Sequence, residues 1–305
     1  MLVEVGLFVL GLTVLVFGAD RAVRSAGELA LYYGVSPFFI GVSVISIGTS
    51  IPEMTTSIYA AYYGAGDIVV GNIVGSETSQ ITLAIAIVAL IAPIVTERKN
   101  VMVYGSAMLL AMIIMFLTLD DHVIGRAEGV LMMLAYAQFL YILYTSEGGG
   151  EITEEVVDER EPPQRAIPWI VLGLVFVIGG GHLLVTNGVT IAILLGIPEY
   201  LVGLLTGLGT TAPEIVVAGI AAKEGSDISV GSILGSNITD PVFSLGIGAL
   251  VADVHVQDPV SVRLSLTYMI VVSLVVLGLM YWRRGIDRRM AVICVLLYVP
   301  SVLLY

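Results

Sequence analysis

The sequence predicts an all-α membrane protein of ten transmembrane helices, arranged as two inverted five-helix repeats. Three observations carry that prediction. The chain is 57% hydrophobic and only 12% charged, whereas soluble domains have about 25% charged residues. Its apolar residues gather into ten runs of roughly membrane-spanning length, about 20 residues each. Two stretches of text also occur twice, once in each half of the chain.

The runs lie near 2–18, 36–62, 67–93, 101–118, 123–144, 167–187, 197–221, 226–251, 261–282 and 288–305. None alternates polar with apolar residues as the strands of a membrane barrel do, so the spans are helices. The first run opens "MLVEVGLF", with Glu4 and no basic n-region, and a cleaved signal peptide is not expected. Between the fifth and sixth runs lie Glu147, Glu151, Glu154, Glu155, Asp158, Glu159 and Glu161, after a Gly triplet and before a Pro pair. Such punctuation marks a solvated tether. The expected organisation is a first repeat over 1–145, an acidic cytoplasmic linker over 146–166 and a second repeat over 167–305. The net charge of -12 argues against nucleic acid as a partner. The single cysteine, Cys294, excludes an intrachain disulfide and a thiolate metal site. It is expected to be a small packing residue.

The basic residues orient the bundle. Arg21, Arg24, Arg98, Lys99, Arg160, Arg165, Lys223, Arg283, Arg284, Arg288 and Arg289 fall in loops that share one side, and only Arg126 and Arg263 lie near the other. Lys and Arg stay cytoplasmic, which predicts a multi-pass protein of the cell membrane with both termini extracellular.

The repeated text is specific. "IGTSIPE" (47–53) matches "LGTTAPE" (208–214), and "DIVVGNIVGSETSQ" (67–80) matches "DISVGSILGSNITD" (227–240). A weaker echo links "LGLTVLVFGADRAV" (10–23) to "LGLVFVIGGGHLLV" (172–185). Duplicating five helices inverts the second copy, and a pseudo-two-fold axis in the membrane plane then brings equivalent residues together near the midplane, as in secondary transporters.

The residues at those positions suit a cation. Pro52 lacks an N–H, so the Gly48 carbonyl loses its helical partner, and Pro213 does the same to Gly209. An unpaired carbonyl in hydrocarbon costs several kcal/mol unless satisfied. Thr49, Ser50, Thr210 and Thr211 add hydroxyls beside each bend, and Glu53 and Glu214 add carboxylates. The donors are all oxygens, which suits Ca²⁺, and carbonyls of kinked helices also suit Na⁺. On the third and eighth runs, Ser76 and Gln80, and Ser236 and Asp240, stand four apart and so share a helix face. Gly71, Gly75, Gly231 and Gly235 permit close helix approach. With Asp240 ionised as well, the site carries three negative charges, each costing at least about 2.5–3.5 kcal/mol in a bilayer centre. One divalent ion, or two to three monovalent ions, would offset them, and the two loads would compete. Asp67 and Asp227 open the third and eighth helices and are expected to cap them. Glu77 is an extra acid: a further ligand, a partner for a basic residue or a group at a cavity rim.

The motifs "GTSIPE…GNIVGSETSQ" and "GTTAPE…GSILGSNITD" resemble the two α-repeats of the cation/calcium antiporter superfamily, and best its sodium/calcium exchanger branch with its small prokaryotic members. The resemblance covers the ten-helix plan, the long central loop and both repeats. It implies a secondary antiporter with four ion sites between the second, third, seventh and eighth helices. Glu53 and Glu214 would bind Ca²⁺ with the backbone carbonyls of Thr49 and Thr210. Ser46, Ser50, Ser76, Gly207, Thr211, Ser236 and Asp240 would serve Na⁺. Gln80 stands where Asn is usual, and Ser46 and Gly207 replace a frequent Ala. The first and sixth helices would slide across the rest to alternate access. No cofactor and no obligate protein partner is expected beyond the transported ions and the lipid bilayer. Two related alternatives are an H⁺/Ca²⁺ antiporter and a K⁺-dependent Na⁺/Ca²⁺ exchanger, the latter because of Asp240. An enzyme is not expected: the chain has no membrane H-E-x-x-H, no G-x-S-x-G and no protease-like Asp pair.

Overall fold

A computed structural model describes residues 2–147, 163–195 and 211–303. The described chain is helical apart from four two-residue strands. Helix α1 spans Leu2–Tyr33; a broken pair follows, α2 (Pro37–Thr49) and α3 (Ile51–Tyr62). Next come α4 (Gly66–Ile91), α5 (Arg98–Thr118) and α6 (Arg126–Glu147). The second half holds α7 (Pro163–Leu194), α8 (Ala212–Lys223), α9 (Ile228–Val251), α10 (Pro259–Arg283) and α11 (Arg288–Tyr298), which ends in a 3₁₀ turn.

Among the described residues seven helices are long and apolar enough to cross a membrane, or eight if α2 and α3 form one bent span. The seventh run of the sequence is described only from Thr211, as α8. The tenth is the short α11, of 11 residues. The first and sixth runs extend further than their apolar stretches suggested, because α1 and α7 are 32 residues each, about 48 Å at 1.5 Å per residue. Polar residues such as Arg21, Arg24 and Thr190 ride on the same continuous helices rather than ending them.

Those two long helices pack on each other through glycines. A Cβ on Gly11 would lie 2.8 Å from the Gly180 carbonyl, and one on Gly180 would lie 2.7 Å from the Gly11 carbonyl. Gly18 and Gly173 reciprocate in the same way, at 2.6 and 2.7 Å. The order of the pairs makes the helices antiparallel. Small residues are what bring membrane helices this close. The Gly179–Gly181 run therefore packs largely on α1, with Gly181 also reaching Pro213 of α8, while Gly179 meets nothing within 4 Å.

Helices α4 and α9 form the buried centre, whereas α1, α6 and α7 leave most of their spanning windows uncovered. That uncovered surface is apolar, with Val9, Leu131 and Val175 all exposed, as lipid contact requires. Two short strand pairs bind the halves at the ends of the bundle. Strand β1 (Ile94–Val95) pairs with β4 (Gly285–Ile286), and β2 (Val123–Ile124) with β3 (Val254–His255), both antiparallel. Cys294 is fully buried.

The expected caps need correcting. Asp67 lies inside the first turn of α4 and accepts instead from the backbone N–H groups of Gln257 and Asp258, at 2.9 and 3.4 Å. Asp227 occupies the cap position of α9, but its side chain makes no capping bond. Both still lie where a helix N-terminus favours negative charge. The true side-chain caps are Asp258, which accepts from Ser261 N at 3.1 Å, and Asp287, which accepts from Arg289 N and Met290 N at 2.9 Å each. The bonds from Ser261 hold Asp258, and the bond from Met290 holds Asp287, below the usual carboxylate range.

A Gly18→Leu substitution should separate α1 from α7 and lower the melting temperature in detergent, overpacking costing about 1–3 kcal/mol. Gly6→Ala, where a Cβ meets nothing within 4 Å, should leave that temperature unchanged.

Candidate ion-binding site

The bend expected at Pro52 is present. Helix α2 stops at Thr49, Ser50 adopts φ -78° and ψ 2°, and α3 leaves at 44° with Pro52 in its first turn. Proline fits there because its missing N–H has no partner in a first turn anyway. Helix α8 begins in the same way, with Pro213 in the first turn after Thr211. Glu53 and Glu214 thus sit in the first turns of α3 and α8, where the helix N-terminus favours an anion. Both are completely buried.

Three π turns are the features that sequence periodicity did not forecast. They occupy Gly41–Ile45 in α2, Gln80–Ala84 in α4 and Asp240–Ser244 in α9. The second and third recur at the 160-residue spacing of the repeated text. Each opens on a candidate site residue, and π turns concentrate at functional sites. Helices α3, α4, α8 and α9 pack on one another around these residues, and α2 lies against α9. The α2–α9 contact depends on glycine, since a Cβ on Gly235 would meet Val42 Cα at 2.6 Å and one on Gly231 the Phe38 carbonyl at 2.5 Å. No described atom lies within 4 Å of a Cβ at Gly71 or Gly75. The stretch of the seventh run corresponding to α2 is outside the described residues.

A polar chain crosses the interior. Ser76 Oγ donates to Glu53 Oε1 at 3.1 Å and accepts from Gln80 Nε2 at 2.9 Å. Gln80 Nε2 also reaches Asp240 Oδ2 at 3.4 Å, and Gln80 Oε1 accepts from Asn237 Nδ2 at 2.7 Å. Ser244 Oγ donates to Asp240 Oδ1 at 2.8 Å. Hydroxyl pairs extend the chain: Ser79 with Thr211 at 2.7 Å, Thr49 with Ser236 at 3.4 Å, and Ser46 with Thr239 at 3.3 Å. Tyr136 OH meets Thr239 Oγ1 at 3.0 Å. Ser46 Oγ also donates to the Val42 carbonyl.

Of the expected site residues, the structure therefore joins Glu53, Ser76, Gln80 and Asp240 directly. It also buries Ser46, Thr49, Ser50, Thr211, Glu214 and Ser236. Thr210 and Gly207 lie outside the described residues. The sequence did not single out Ser79, Asn237, Thr239, Tyr136 or Ser244. Four of these were detectable only as polar residues next to, or one turn from, a motif residue, and Tyr136 had no signal.

Several buried oxygens have no hydrogen-bond partner: Glu53 Oε2, both oxygens of Glu214, both of Glu77, Ser50 Oγ and Asn237 Oδ1. No Lys or Arg is buried among the described residues to neutralise the acids. Leaving such groups unmatched costs about 1–3 kcal/mol each, more when charged. The acids are also spread out: among the described residues no three His, Cys, Asp or Glu side chains are grouped to hold one metal ion. A cation here would be held by one or two carboxylates, with hydroxyl, amide and main-chain oxygens completing the shell. That mixture matches hard cations.

The family model described as sodium/calcium exchanger protein matches residues 3–145 and 165–305. The chain belongs to the sodium/calcium exchanger family. Among its relatives are the sodium/calcium exchanger MaX1 of Methanosarcina acetivorans, 30% identical over 96% of this chain and 95% of that one. The inner membrane protein YrbG of Escherichia coli is 31% identical over 93% and 90%. Among solved structures, the sodium-calcium exchanger NCX_Mj soaked with 10 mM Na⁺ and zero Ca²⁺ superposes with a TM-score of 0.82 and 29% identity, covering 99% of this chain and 98% of that chain. Its relatives being exchangers, this member of the exchanger family is a transport protein and not an enzyme.

Gln80→Leu should strip partners from Ser76, Asn237 and Asp240 together. Each polar group left unpaired costs about 1–3 kcal/mol, so the melting temperature in ion-free detergent should fall well below that of the parent. Gln80→Asn, which keeps the amide, should restore most of the difference.

Proposed function

We propose that this chain is a secondary antiporter that exchanges Na⁺ for Ca²⁺ across the cell membrane by alternating access, expelling Ca²⁺ at the expense of inward Na⁺. The observation that carries the proposal is the burial of Glu53 and Glu214 in the first turns of α3 and α8, with unmatched carboxylate oxygens and no buried basic residue among the described residues. Such a pair needs a cation, and both cargoes offer oxygen-seeking charge. Thr49, Thr210, Ser50, Thr211, Ser46, Gly207, Ser76, Ser236, Gln80 and Asp240 supply the remaining donors in this scheme. Ca²⁺ takes the two Glu carboxylates, and Na⁺ ions take the same carboxylates with the hydroxyls, so the two loads exclude each other.

In this account the bundle holds ten helices as two inverted repeats, 1–145 and 167–305, joined by the cytoplasmic linker 146–166, with both termini extracellular. Several contacts support that arrangement. Gly11 and Gly18 correspond to Gly173 and Gly180 in the echoed text, and each packs on the other's counterpart, as a two-fold axis demands. The two strand pairs exchange places under the same correspondence. They join the loop after α4 to that after α10, and the loop after α5 to that after α9, and each pair shares a side in the ten-helix scheme. Arg24 pairs with Glu224 at 3.1 Å, and Arg263 with Asp120 at 3.2 Å, again matching sides.

Helices α1 and α7 move as one glycine-locked unit across the rest. Gly48 abuts Leu174 of α7, and Gly181 of α7 abuts Pro213, so the unit slides directly over both helix breaks. An empty site leaves its carboxylates unbalanced and resists occlusion, which couples the two fluxes. Neither a cofactor nor an obligate protein partner enters this cycle.

Reconstituted in liposomes, the protein should accumulate ⁴⁵Ca²⁺ when a Na⁺ gradient alone is imposed, and Glu53→Gln or Glu214→Gln should abolish that uptake. Uptake driven by a pH gradient without Na⁺, or only after K⁺ is added, would transfer the assignment to the proton- or potassium-coupled alternative.

A further inference from the structure

Glu77 is a buried acid that the exchange scheme does not use. It is fully buried, which excludes a cavity rim, and neither of its oxygens has a hydrogen-bond partner. No ion pair reaches it among the described residues, where the salt bridges are Arg24 with Asp20 and Glu224, and Arg263 with Asp120. Its neighbour Ser76 donates to Glu53 at 3.1 Å, and Gln80, three residues on and so on the same helix face, reaches Asp240 at 3.4 Å. Glu77 thus stands beside the polar chain that links Glu53 to Asp240.

The repeated text explains its placement. Glu77 follows the Gly-Ser of "GSETSQ" as Asn237 follows that of "GSNITD". Asn237 turns inward and donates to Gln80 Oε1 at 2.7 Å. The counterpart of Gln80 is Asp240, so the counterpart of the Asn237–Gln80 pair is Glu77 with Asp240. One pair is two neutral amides sharing a proton. The other is two acids, which have no proton to share when ionised, and no donor reaches either oxygen of Glu77. Asp240 already accepts from Ser244 and Gln80, whereas Glu77 has nothing. Like charges in a low-dielectric interior repel strongly, and a cation between them reverses the sign of that interaction.

We propose that Glu77 is a fourth ion-coordinating carboxylate, which with Asp240 holds one alkali cation beyond those bound by Glu53 and Glu214. This rests on the exchange scheme above and raises the negative charge to be matched from three to four. A single added charge calls for a single monovalent ion. The Na⁺-loaded protein therefore carries one more alkali ion than Glu53, Glu214 and Asp240 alone would need.

Two measurements test it. The first is the number of ²²Na⁺ ions bound per chain at saturation in detergent, for the parent, Glu77→Gln and Glu77→Asp. Glu77→Gln should bind one ion fewer, and Glu77→Asp should keep the parent number with weaker affinity. The count is repeated with ⁸⁶Rb⁺ in place of ²²Na⁺, as a K⁺ surrogate, and a lost Rb⁺ rather than Na⁺ would identify the larger alkali cation as the occupant. Equal counts in the parent and Glu77→Gln would overturn the proposal, as would a change in proton uptake alone. The second is the Na⁺ gradient that just balances a fixed Ca²⁺ gradient in liposomes, which should report one alkali ion fewer per Ca²⁺ in Glu77→Gln. A parent that binds the extra ion but shows no Na⁺-driven Ca²⁺ flux would defeat the exchange scheme and leave the Glu77 site standing. Should Glu77→Gln fail to fold, Glu77→Asp decides by affinity: a parent-like Na⁺ titration would overturn the site.

Discussion

Charge without a covalent partner is the constraint on which the rest of this structure depends. Glu53, Glu77, Glu214 and Asp240 are all wholly enclosed, and no buried Lys or Arg among the described residues balances them. A bilayer offers no water to take that role, and ionisable groups at such depth are costly wherever they have no function. A hydrophobic core would be the more stable choice at each position. Acids retained there leave a charge that no buried basic residue among the described residues balances.

The architecture follows from holding these acids inside. Proline at the second position of α3 and of α8 places each buried Glu in a first helical turn. The π turns at Gln80 and Asp240 shift the helical register where the amide and the third carboxylate must face the centre. Glycine at 231 and 235 lets α2 lie directly on α9, and glycine at 11, 18, 173 and 180 fuses α1 to α7. The first set of contacts fixes the binding groups. The second forms a close-packed antiparallel pair on the outside of the bundle.

Much of this was legible in the chain itself, and the reasons differ by feature. The helix break before Pro52 was readable because proline removes a donor wherever it stands, so "GTSIPE" states its own geometry, and "GTTAPE" likewise puts Pro213 and Glu214 in the first turn of α8. The π turns were not readable: "QITLA" and "DPVFS" have the composition of ordinary helix, and the extra residue is set by tertiary packing. The roles of Asp67 and Asp227 were misjudged because a helix N-terminus attracts an acid whether or not the side chain bends back to cap it. Nothing in the text distinguished these from Asp258 and Asp287, whose backbone turns let them cap. The burial of Glu77 likewise needed three dimensions, since its neighbours Ser76 and Thr78 are polar too and the text alone does not say which of the three turn inward.

The claim that one set of carboxylates serves both cargoes is tested most directly by equilibrium competition. Binding of ⁴⁵Ca²⁺ to the purified protein, titrated with Na⁺ at constant ionic strength, should show complete displacement. The Na⁺ dependence should be steeper than first order, because several Na⁺ ions replace each Ca²⁺. Ca²⁺ that stays bound at saturating Na⁺, with both ions held at once on the same chain, would contradict the account.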